Sequence, residues 1–481
     1  MSDPTPSVAA AGSKVVRPFG IRDKVGYLFG DFGNDFSFLL ASSYLMIFYT
    51  DVLGIGAGVV GWIFFGSRIV DAFTDVGMGR IVDTLKPTKA GRFRPWILRG
   101  MVPVAVASFL LYQIFPQSWG DGPKIAWAAG TYLLWGSITY TMINIPYGSM
   151  AAVISDKPEH RASLSVFRSV GAQLAFLLVL FVPPFFIYKK MEDGSSQAID
   201  VAFPIMAAIF AGFSILWYFL CYRMVTERIE AEPKPKEERA SFGQMLLSLV
   251  HNRGLLSLVL AALLLLAASL LAMGMTQYLY KDYFGDGKLA SWGGLIGIVP
   301  VFILAPFAST LAKKFGKREL GIVGMLLAGG MNILLYVLHL SNPFVFMALF
   351  LIQGAGLGLF NILIWAFITD VLDYQEVLTH QRDDGTIYAV YSWARKLGQA
   401  FAGGLTGWAL QGIGYQRAEA GQKVVQEGGT IEGIYALATI VPGLIYLACA
   451  LVLWFFYPLS KKVVDGNVSE LQRRRDAAET A

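Results

Sequence analysis

The sequence is poor in charged residues and in the residue types that disulfide frameworks and most active sites use. Only 15% of its 481 residues are charged, whereas soluble proteins carry about 25%. Its two cysteines, Cys221 and Cys449, both lie in apolar segments and indicate two buried thiols rather than a disulfide framework. Its four histidines lie at the ends of apolar segments or in loops, which argues against a catalytic histidine.

Several sequence signatures of enzymes are also missing. The chain has no phosphate loop, no nucleophile elbow and no cluster with metal-ligand spacing, so we predict no enzymatic activity and no cofactor. Its net charge of +5 is spread through connecting loops, which does not indicate a nucleic-acid partner. The first 20 residues contain no apolar run, so we expect no cleavable signal peptide.

Apolar residues dominate what remains. Fifty-five per cent of the chain is hydrophobic, and 51 residues are glycine, which lets helices approach closely in lipid. Because about 20 apolar residues cross a bilayer as a helix, the pattern predicts an all-α polytopic membrane protein. We place its twelve transmembrane helices at residues 24–50, 58–84, 95–116, 123–153, 161–188, 200–225, 246–281, 290–314, 318–339, 343–372, 386–414 and 431–458.

One long charged segment divides these spans into two groups of six. The basic residues are concentrated in the loops on the side shared by both termini, so both termini are predicted to be cytoplasmic and the protein to lie in the cell membrane. Basic turns recur after the second and eighth spans, an internal symmetry typical of transporters of the major facilitator fold. The predicted organisation is a cytoplasmic tail (1–22), a six-helix bundle (23–225), a cytoplasmic linker (226–245), a second six-helix bundle (246–458) and a cytoplasmic tail (459–481).

The second span contains charges at the depth of the membrane. Arg68, Asp71 and Asp75 are three and four residues apart, so they share one face of a helix, and the hydroxyl of Thr74 lies on the same side. Charges inside a membrane normally face the protein interior or a wet cavity. Two carboxylates and a hydroxyl predict a cation site for Na⁺ or a proton. The alternative is a structural Arg–Asp pair that joins two helices.

The first span carries acids at a similar depth. Asp31 and Asp35 are four residues apart on one helix face. Asp35 lies near the bilayer centre, at the level of Asp71, which suggests a cavity shared by the two helices. We interpret Asp31 as a residue at the cytoplasmic end in contact with water, and Asp35 as a functional residue.

The fourth span adds polar groups that can face the same point. Thr141 and Asn144 are three residues apart, and Pro146 frees the carbonyl oxygen of Met142 from its helical hydrogen bond. The alternative for this stretch is a proline kink with polar contacts between helices.

The remaining spans contribute fewer charges. Arg168 lies two turns into the fifth span, where its side chain either snorkels to the surface or reaches the cavity. Lys396 lies deep in the eleventh span without an acid beside it, so we expect it to pair with the acids of the first half. Asp370 and Asp373 end the tenth span near the cytoplasm.

These motifs together resemble the glycoside–pentoside–hexuronide:cation symporter family, within the major facilitator superfamily. The similarity covers nearly all spans and is most specific in the first four. The resemblance implies a cation-coupled sugar transporter. It rests on the stretches Gly33–Phe36, Phe48–Val52, Arg68–Asp75, Gly91–Trp96, Asn144–Ser149 and Asp370–Tyr374, and on Lys396.

The resemblance also implies roles for individual residues. The cation site is implied to consist of Asp71, Thr74, Asp75 and Thr141. The residues implied to surround or approach the sugar are Asp35, Tyr140, Asn144, Arg168, Ser392 and Lys396, to which we add Asn34 between the two acids of the first span. Structural or gating roles are assigned to Arg68, Arg92, Asp370 and Asp373.

The chain departs from the melibiose-permease branch of this family at four positions. That branch has lysine at Asn34, asparagine at Thr74, aspartate at Asn144 and tryptophan at Gly148, whereas glucuronide and pentoside permeases share the Asn-Ile-Pro-Tyr-Gly-Ser stretch. The departures argue against an α-galactoside and leave H⁺ and Na⁺ open as coupling ions.

We therefore predict symport of a glycoside, pentoside or hexuronide into the cell by a monomer. Its partners would be the sugar, a monovalent cation and membrane lipid. The alternative is a carrier of lysolipids or other amphiphiles with the same fold, which predicts an apolar cavity and no sugar uptake.

Overall fold

The computed structural model describes residues 17–229, 252–379, 384–418 and 424–480, apart from positions 86, 89, 156 and 193. Most of the predicted N-terminal tail and linker therefore lies outside the described residues. In the first half, the helices are α1 (Ile21–Ile47), α2 (Ala57–Thr84), α3 (Arg94–Leu110), α4 (Asp121–Leu133), α5 (Thr141–Ile154), α6 (Pro158–Phe181), α7 (Pro183–Ile187) and α8 (Ala202–Met224).

The second half repeats this all-helical pattern. Its helices are α9 (Arg253–Tyr278), α10 (Ala290–Phe315), α11 (Lys317–Leu338), α12 (Pro343–Thr379), α13 (Asp384–Gly412), α14 (Gly428–Ala438), α15 (Ile440–Phe455) and α16 (Lys461–Thr480). The predicted C-terminal tail is therefore helical, and it packs against the bundle through Leu471, which is only 4% exposed. Helix α12 continues seven residues beyond the predicted end of the tenth span.

Nine helical segments of the described chain are long and apolar enough to cross a membrane. They correspond to all the predicted spans except the first, fourth and eleventh, so the structure does not establish a count of twelve. These three spans carry several of the polar residues singled out above, among them Asp35, Thr141 and Lys396, and polar residues lower the mean hydropathy of a helix. Each of the three is nevertheless helical.

Three wider, π-helical segments interrupt the long helices. Phe48–Val52 follows α1, Leu279–Tyr283 follows α9, and Leu134–Tyr140 joins α4 to α5. The first two occupy equivalent places in the two halves, and each is followed by a glycine with positive φ, 68° at Gly54 and 69° at Gly285. This left-handed conformation favours glycine. The equivalence supports an internal repeat of the six-helix unit.

The two halves meet closely at the end of the bundle that contains Phe48–Val52 and Leu279–Tyr283, which we call the far end. There α2 contacts α13 without intervening side chains: a Cβ on Gly407 would lie 2.4 Å from the Ala57 carbonyl oxygen. On the same helices, the ring centres of Trp62 and Trp408 are 4.9 Å apart. Three turns further along α2, Phe73 is 74% exposed. The far end is therefore the closed end of this conformation.

A short antiparallel hairpin lies between α7 and α8 and was not predicted from the sequence. Its strands are β1 (Tyr188–Lys190) and β2 (Ser196–Ala198). The hydroxyl of Tyr188, a fully buried residue, donates to Gln277 of α9 at 3.0 Å. The hairpin thus adds a contact between the halves at the far end.

At the opposite end, Glu227 caps α3. Its carboxylate accepts the backbone N–H groups of Arg92, Phe93 and Arg94 at 2.7, 2.9 and 2.6 Å. A carboxylate at a helix N-terminus satisfies amides that lack a partner within the helix and complements the helix dipole. The contact attaches the chain that follows α8 to the start of α3, and with it the Gly91–Trp96 motif.

Replacing Glu227 by alanine should lower the free energy of unfolding by about 1–3 kcal/mol, because it leaves three partly buried N–H groups without an acceptor. Thermal unfolding of the purified protein in detergent measures this loss. Glu159→Ala, at an exposed glutamate in the first turn of α6, is the matched control and should change little. Equal stability of the two variants would contradict the capping role.

Candidate functional site

The charged face of α2 forms the contacts that its spacing predicted. The Arg68 guanidinium donates to Asp71 at 3.2 Å. It also lies 5.3 Å from the ring centre of Phe38 on α1, a cation–π distance. The Thr74 hydroxyl donates to the backbone carbonyl of Asp71 at 3.1 Å. Arg68 is therefore a direct partner of the acid cluster and links α2 to α1.

Two hydroxyls of the fourth span bind the carboxylates of α2. Ser137 donates to Asp71 at 2.5 Å, and Thr141 donates to Asp75 at 2.8 Å. Ser137 lies in the π-helical segment between α4 and α5, and it was not predicted from the sequence. Its position four residues before Thr141 was the available signal, because residues at this spacing share a helix face.

This arrangement brings together the four residues of the predicted cation site. Two carboxylates and three hydroxyls supply only oxygen ligands, which suit a hard cation, and either carboxylate can take up a proton. The charge of Arg68 competes with a cation for Asp71, whereas Asp75 accepts a hydrogen bond from the neutral hydroxyl of Thr141. The role of the cluster in cation binding stays a prediction.

The predicted sugar-binding residues of α1 face two directions. Asp35 is partly exposed, and within the described ranges no hydrogen bond or ion pair joins its carboxylate to another residue. Asn34 is 2% exposed and instead accepts a hydrogen bond from Tyr218 of α8 at 2.9 Å. The structure therefore does not bring Asn34 together with Asp35.

The sequence interpretation placed Asp31 in contact with water, and the structure contradicts it. Its side chain is only 8% exposed and forms an ion pair with Arg168 of α6, at 2.9 Å from Nε. The guanidinium of Arg168 also lies 5.6 Å from the ring centre of Tyr147. Burial follows from packing of α1 against α6, a long-range contact that hydropathy does not reveal.

The other predicted sugar-binding residues are placed as follows. Tyr140 lies beside α1, with its ring centre 6.1 Å from that of Phe38. Asn144 is half-buried one turn further along α5. The side chains of Ser392 and Lys396 lie outside the described residues, so their roles and the predicted partners of Lys396 stay predictions.

The predicted structural and gating residues form local contacts. Arg92 donates to the carbonyl of Val82 at 3.0 Å. Asp370 is 5% exposed and accepts from Lys317 at 2.5 Å, so it is buried in an ion pair rather than solvated. Asp373, one turn later on α12, is half-buried.

A cavity of about 530 Å³ lies between the two halves. Phe38, Phe176 and Leu180 line it from the first half, and the rest of its wall comes mostly from apolar residues of α9, α10 and α12. The polar side chains in its wall are Gln173, Ser269, Thr276, Tyr280, Gln353, Asn361, Arg395 and Tyr446. Because Phe38 is three residues after Asp35, the cavity adjoins the face of α1 that carries this acid.

A charged cluster at the far end was also missed by the sequence analysis. Lys281 is 7% exposed and forms ion pairs with Asp51 of the first half and with Asp282. The Tyr415 hydroxyl donates to Asp51 at 2.9 Å. The available signal was the repeat itself, since Asp51 and Asp282 occupy the same place in the two π-helical segments.

Helices that cross a membrane, two similar halves and a polar cluster inside the first half define a multi-pass transporter. The family model described as MFS/sugar transport protein matches residues 26–461. The chain therefore belongs to this family, which consists of membrane transporters and not of enzymes, and the predicted family and fold class are confirmed.

Curated relatives and solved structures agree with this assignment. The chain is 30% identical to a glucuronide carrier protein homolog of Escherichia coli (strain K12), over 94% of this chain and 96% of the relative. It is 31% identical to the uncharacterized symporter YjmB of Bacillus subtilis (strain 168), with the same coverage. The crystal structure of a D-xylose-proton symporter is similar in fold, with a TM-score of 0.59, 15% identity and coverage of 91% and 97%.

Proposed function

We propose that this protein is a secondary active transporter that carries a sugar into the cell together with H⁺ or Na⁺. The observation that carries the proposal is the hydroxyl-bound pair of acids on α2, together with an Asp35 on α1 that has no hydrogen-bond or ion-pair partner among the described residues. Arg68 connects them: it binds Asp71 and lies over Phe38, one turn from Asp35. The relative named as a glucuronide carrier protein homolog supports a sugar as the substrate.

The coupling follows from electrostatics. Two carboxylates one turn apart repel each other, so a cation bound to Asp71 and Asp75 stabilises this face of α2. Once the cation is bound, Arg68 and α1 are held in the arrangement that presents Asp35 to the sugar. By thermodynamic linkage, the sugar must then increase the affinity for the cation by the same factor. The loaded halves rock about the site between them.

The orientation and assembly also belong to this proposal. The basic loops place both termini in the cytoplasm of a cell membrane protein. The far end then faces outward, and the conformation described here is closed to the outside. The transporter acts as a monomer, because one pair of six-helix halves encloses the whole site.

Binding of labelled sugars to the purified protein tests the function without requiring transport. Titration of a panel of neutral glycosides, pentosides and hexuronates, with and without Na⁺ and at two pH values, should find a sugar whose affinity rises with one cation. A rise with Na⁺ at constant pH identifies Na⁺, and a rise with acidity in Na⁺-free buffer identifies H⁺. Absence of binding for every sugar under every condition would contradict the proposal.

The apolar lining of the central cavity favours one alternative, a carrier of lysolipids or other amphiphiles. A chain of methylene groups would bury well against Phe38, Phe176 and the leucines of α9. A competition experiment between a lysolipid and bound sugar distinguishes the two functions. If the lysolipid displaces the sugar only at concentrations that also unfold the protein, sugar transport remains the function. Saturable lysolipid binding in a protein that binds no sugar supports the alternative.

A transporter whose halves rock must open and close each end in turn. We therefore assign a gating role to the far-end cluster of Lys281, Asp51 and Asp282. Removing one partner of a buried ion pair typically costs about 3–5 kcal/mol, because a buried charge is left uncompensated. Lys281→Met leaves Asp51 and Asp282 facing each other, so it should open the far end. Spin labels at the exposed Glu192 and Ser341 should then show longer distances. The control is Lys189→Met, an exposed lysine of β1; identical distance distributions for the two variants would contradict the gate.

A further inference from the structure

The pair formed by Asp31 and Arg168 lies one helical turn from Asp35, next to the proposed sugar site. Asp31 is nearly buried, whereas 45% of the Arg168 side chain is exposed. The two acids of α1 thus differ in their contacts. Asp31 has an ion-pair partner, and Asp35 has none in the described part of the chain. A carboxylate without a protein partner is available to accept hydrogen bonds from a ligand.

The structure fixes Arg168 on two sides. Its Nε donates to Asp31, and its guanidinium lies over the ring of Tyr147. Tyr147 is itself immobilised: it is fully buried, its hydroxyl donates to the carbonyl of Tyr27 at 2.7 Å, and the two rings stack 4.7 Å apart. A guanidinium has five N–H donors in a planar fork. Bonding to Asp31 takes only the Nε–H group, and the Tyr27 hydroxyl also lies against the guanidinium, so further N–H groups of the fork remain for a ligand.

Without the carboxylate of Asp31, the charge of Arg168 would need another acidic partner. Arg168 would then have Asp35, one turn along α1, as the nearest acid of that helix. An arginine and a carboxylate that come within hydrogen-bond distance form a charge-assisted pair, often with two hydrogen bonds. That pair would occupy both of the groups that a sugar needs, the acceptor and the donors.

We propose that Asp31 is a positioning residue, which holds Arg168 away from Asp35 so that both remain available to the hydroxyl groups of the substrate. The inference rests on the proposed function, and it specifies how the same site is kept open. Asp31 itself does not touch the sugar, because its side chain is only 8% exposed whereas that of Arg168 is 45% exposed. A substrate with several adjacent hydroxyls fits this arrangement, because Asp35 accepts and Arg168 donates.

A double-mutant cycle on sugar binding tests the role. Asp31→Asn should raise the Kd for the sugar about 10- to 100-fold, the equivalent of one charge-assisted hydrogen bond. In an Arg168→Gln background the same substitution should change the Kd less than about threefold, since Asp31 acts only through Arg168. Equal effects in both backgrounds, or no effect in either, would overturn the inference.

A second variant covers the case in which Asp31→Asn does not fold. Asp31→Glu retains the charge and the ion pair, so it should bind the sugar more tightly than any Asp31 variant without a carboxylate. Equal loss for Asp31→Glu and Asp31→Asn, or for Asp31→Glu and Asp31→Ser, would contradict a role through the ion pair. If the wild-type protein binds no sugar, the proposed function fails. If it binds sugar and the two substitutions have additive effects on the Kd, only the inference about Asp31 fails.

Discussion

Asp75→Asn is expected to abolish uphill accumulation of the sugar while exchange of sugar across the membrane persists. In the proposed mechanism the substitution removes a charge that binds the cation and leaves the proposed sugar contacts on α1 and α6 unchanged. The hydrogen bond from Thr141 at 2.8 Å can be retained by the amide oxygen, so the helix contacts should survive. Without a cation that binds at this site, the gradient no longer drives the cycle.

Reconstituted vesicles distinguish the two activities. Accumulation is measured under an imposed cation gradient, and exchange is measured with sugar at equal concentration on both sides. Asp465→Asn, at an exposed acid of α16, is a control with the same change of charge and should retain both. Accumulation at the wild-type level in Asp75→Asn would remove this residue from the cation site.

Asp35→Asn should weaken sugar binding far more than cation binding. A carboxylate that accepts two hydroxyl hydrogen bonds contributes roughly 2–5 kcal/mol, because charge-assisted bonds are strong and the sugar hydroxyls would lose their acceptor. This corresponds to a Kd increase of about 30-fold to several thousand-fold. The cation affinity measured without sugar should be nearly unchanged, since Asp71 and Asp75 lie on a different helix.

Calorimetric titration with the sugar measures this effect directly. Asn34→Ala is an informative control on the same helix, because Asn34 faces Tyr218 of α8 and not the side of Asp35. We expect it to affect stability more than sugar affinity. An unchanged sugar affinity in Asp35→Asn would mean that Asp35 is structural and that the sugar binds elsewhere.

The sequence predicted those features that depend on short spacings along the chain. Positions three and four residues apart placed Arg68 beside Asp71, and the composition and apolar runs predicted the membrane class. Recognition of family motifs added Thr141 as a partner for Asp75, a contact between residues 66 positions apart.

Features that depend on how helices pack were not predicted. Asp31 lies one turn from Asp35, yet its burial is decided by Arg168, 137 residues later in the chain. Ser137 lies in a π-helical segment, which periodicity at 3.6 residues per turn does not anticipate, and its contact with Asp71 joins residues 66 positions apart. The pairing of Lys281 with Asp51 requires the two halves to come together at the far end.

The most direct test of the account is uptake of a labelled sugar into vesicles that contain only this protein and lipid. An inward gradient of Na⁺ or of protons is imposed in separate experiments, with the membrane potential set to zero. We predict that at least one glycoside, pentoside or hexuronide accumulates above its outside concentration under one of these gradients, and that an ionophore for that cation abolishes the accumulation. Equilibration of every sugar to the outside concentration under both gradients would contradict cation-coupled sugar transport.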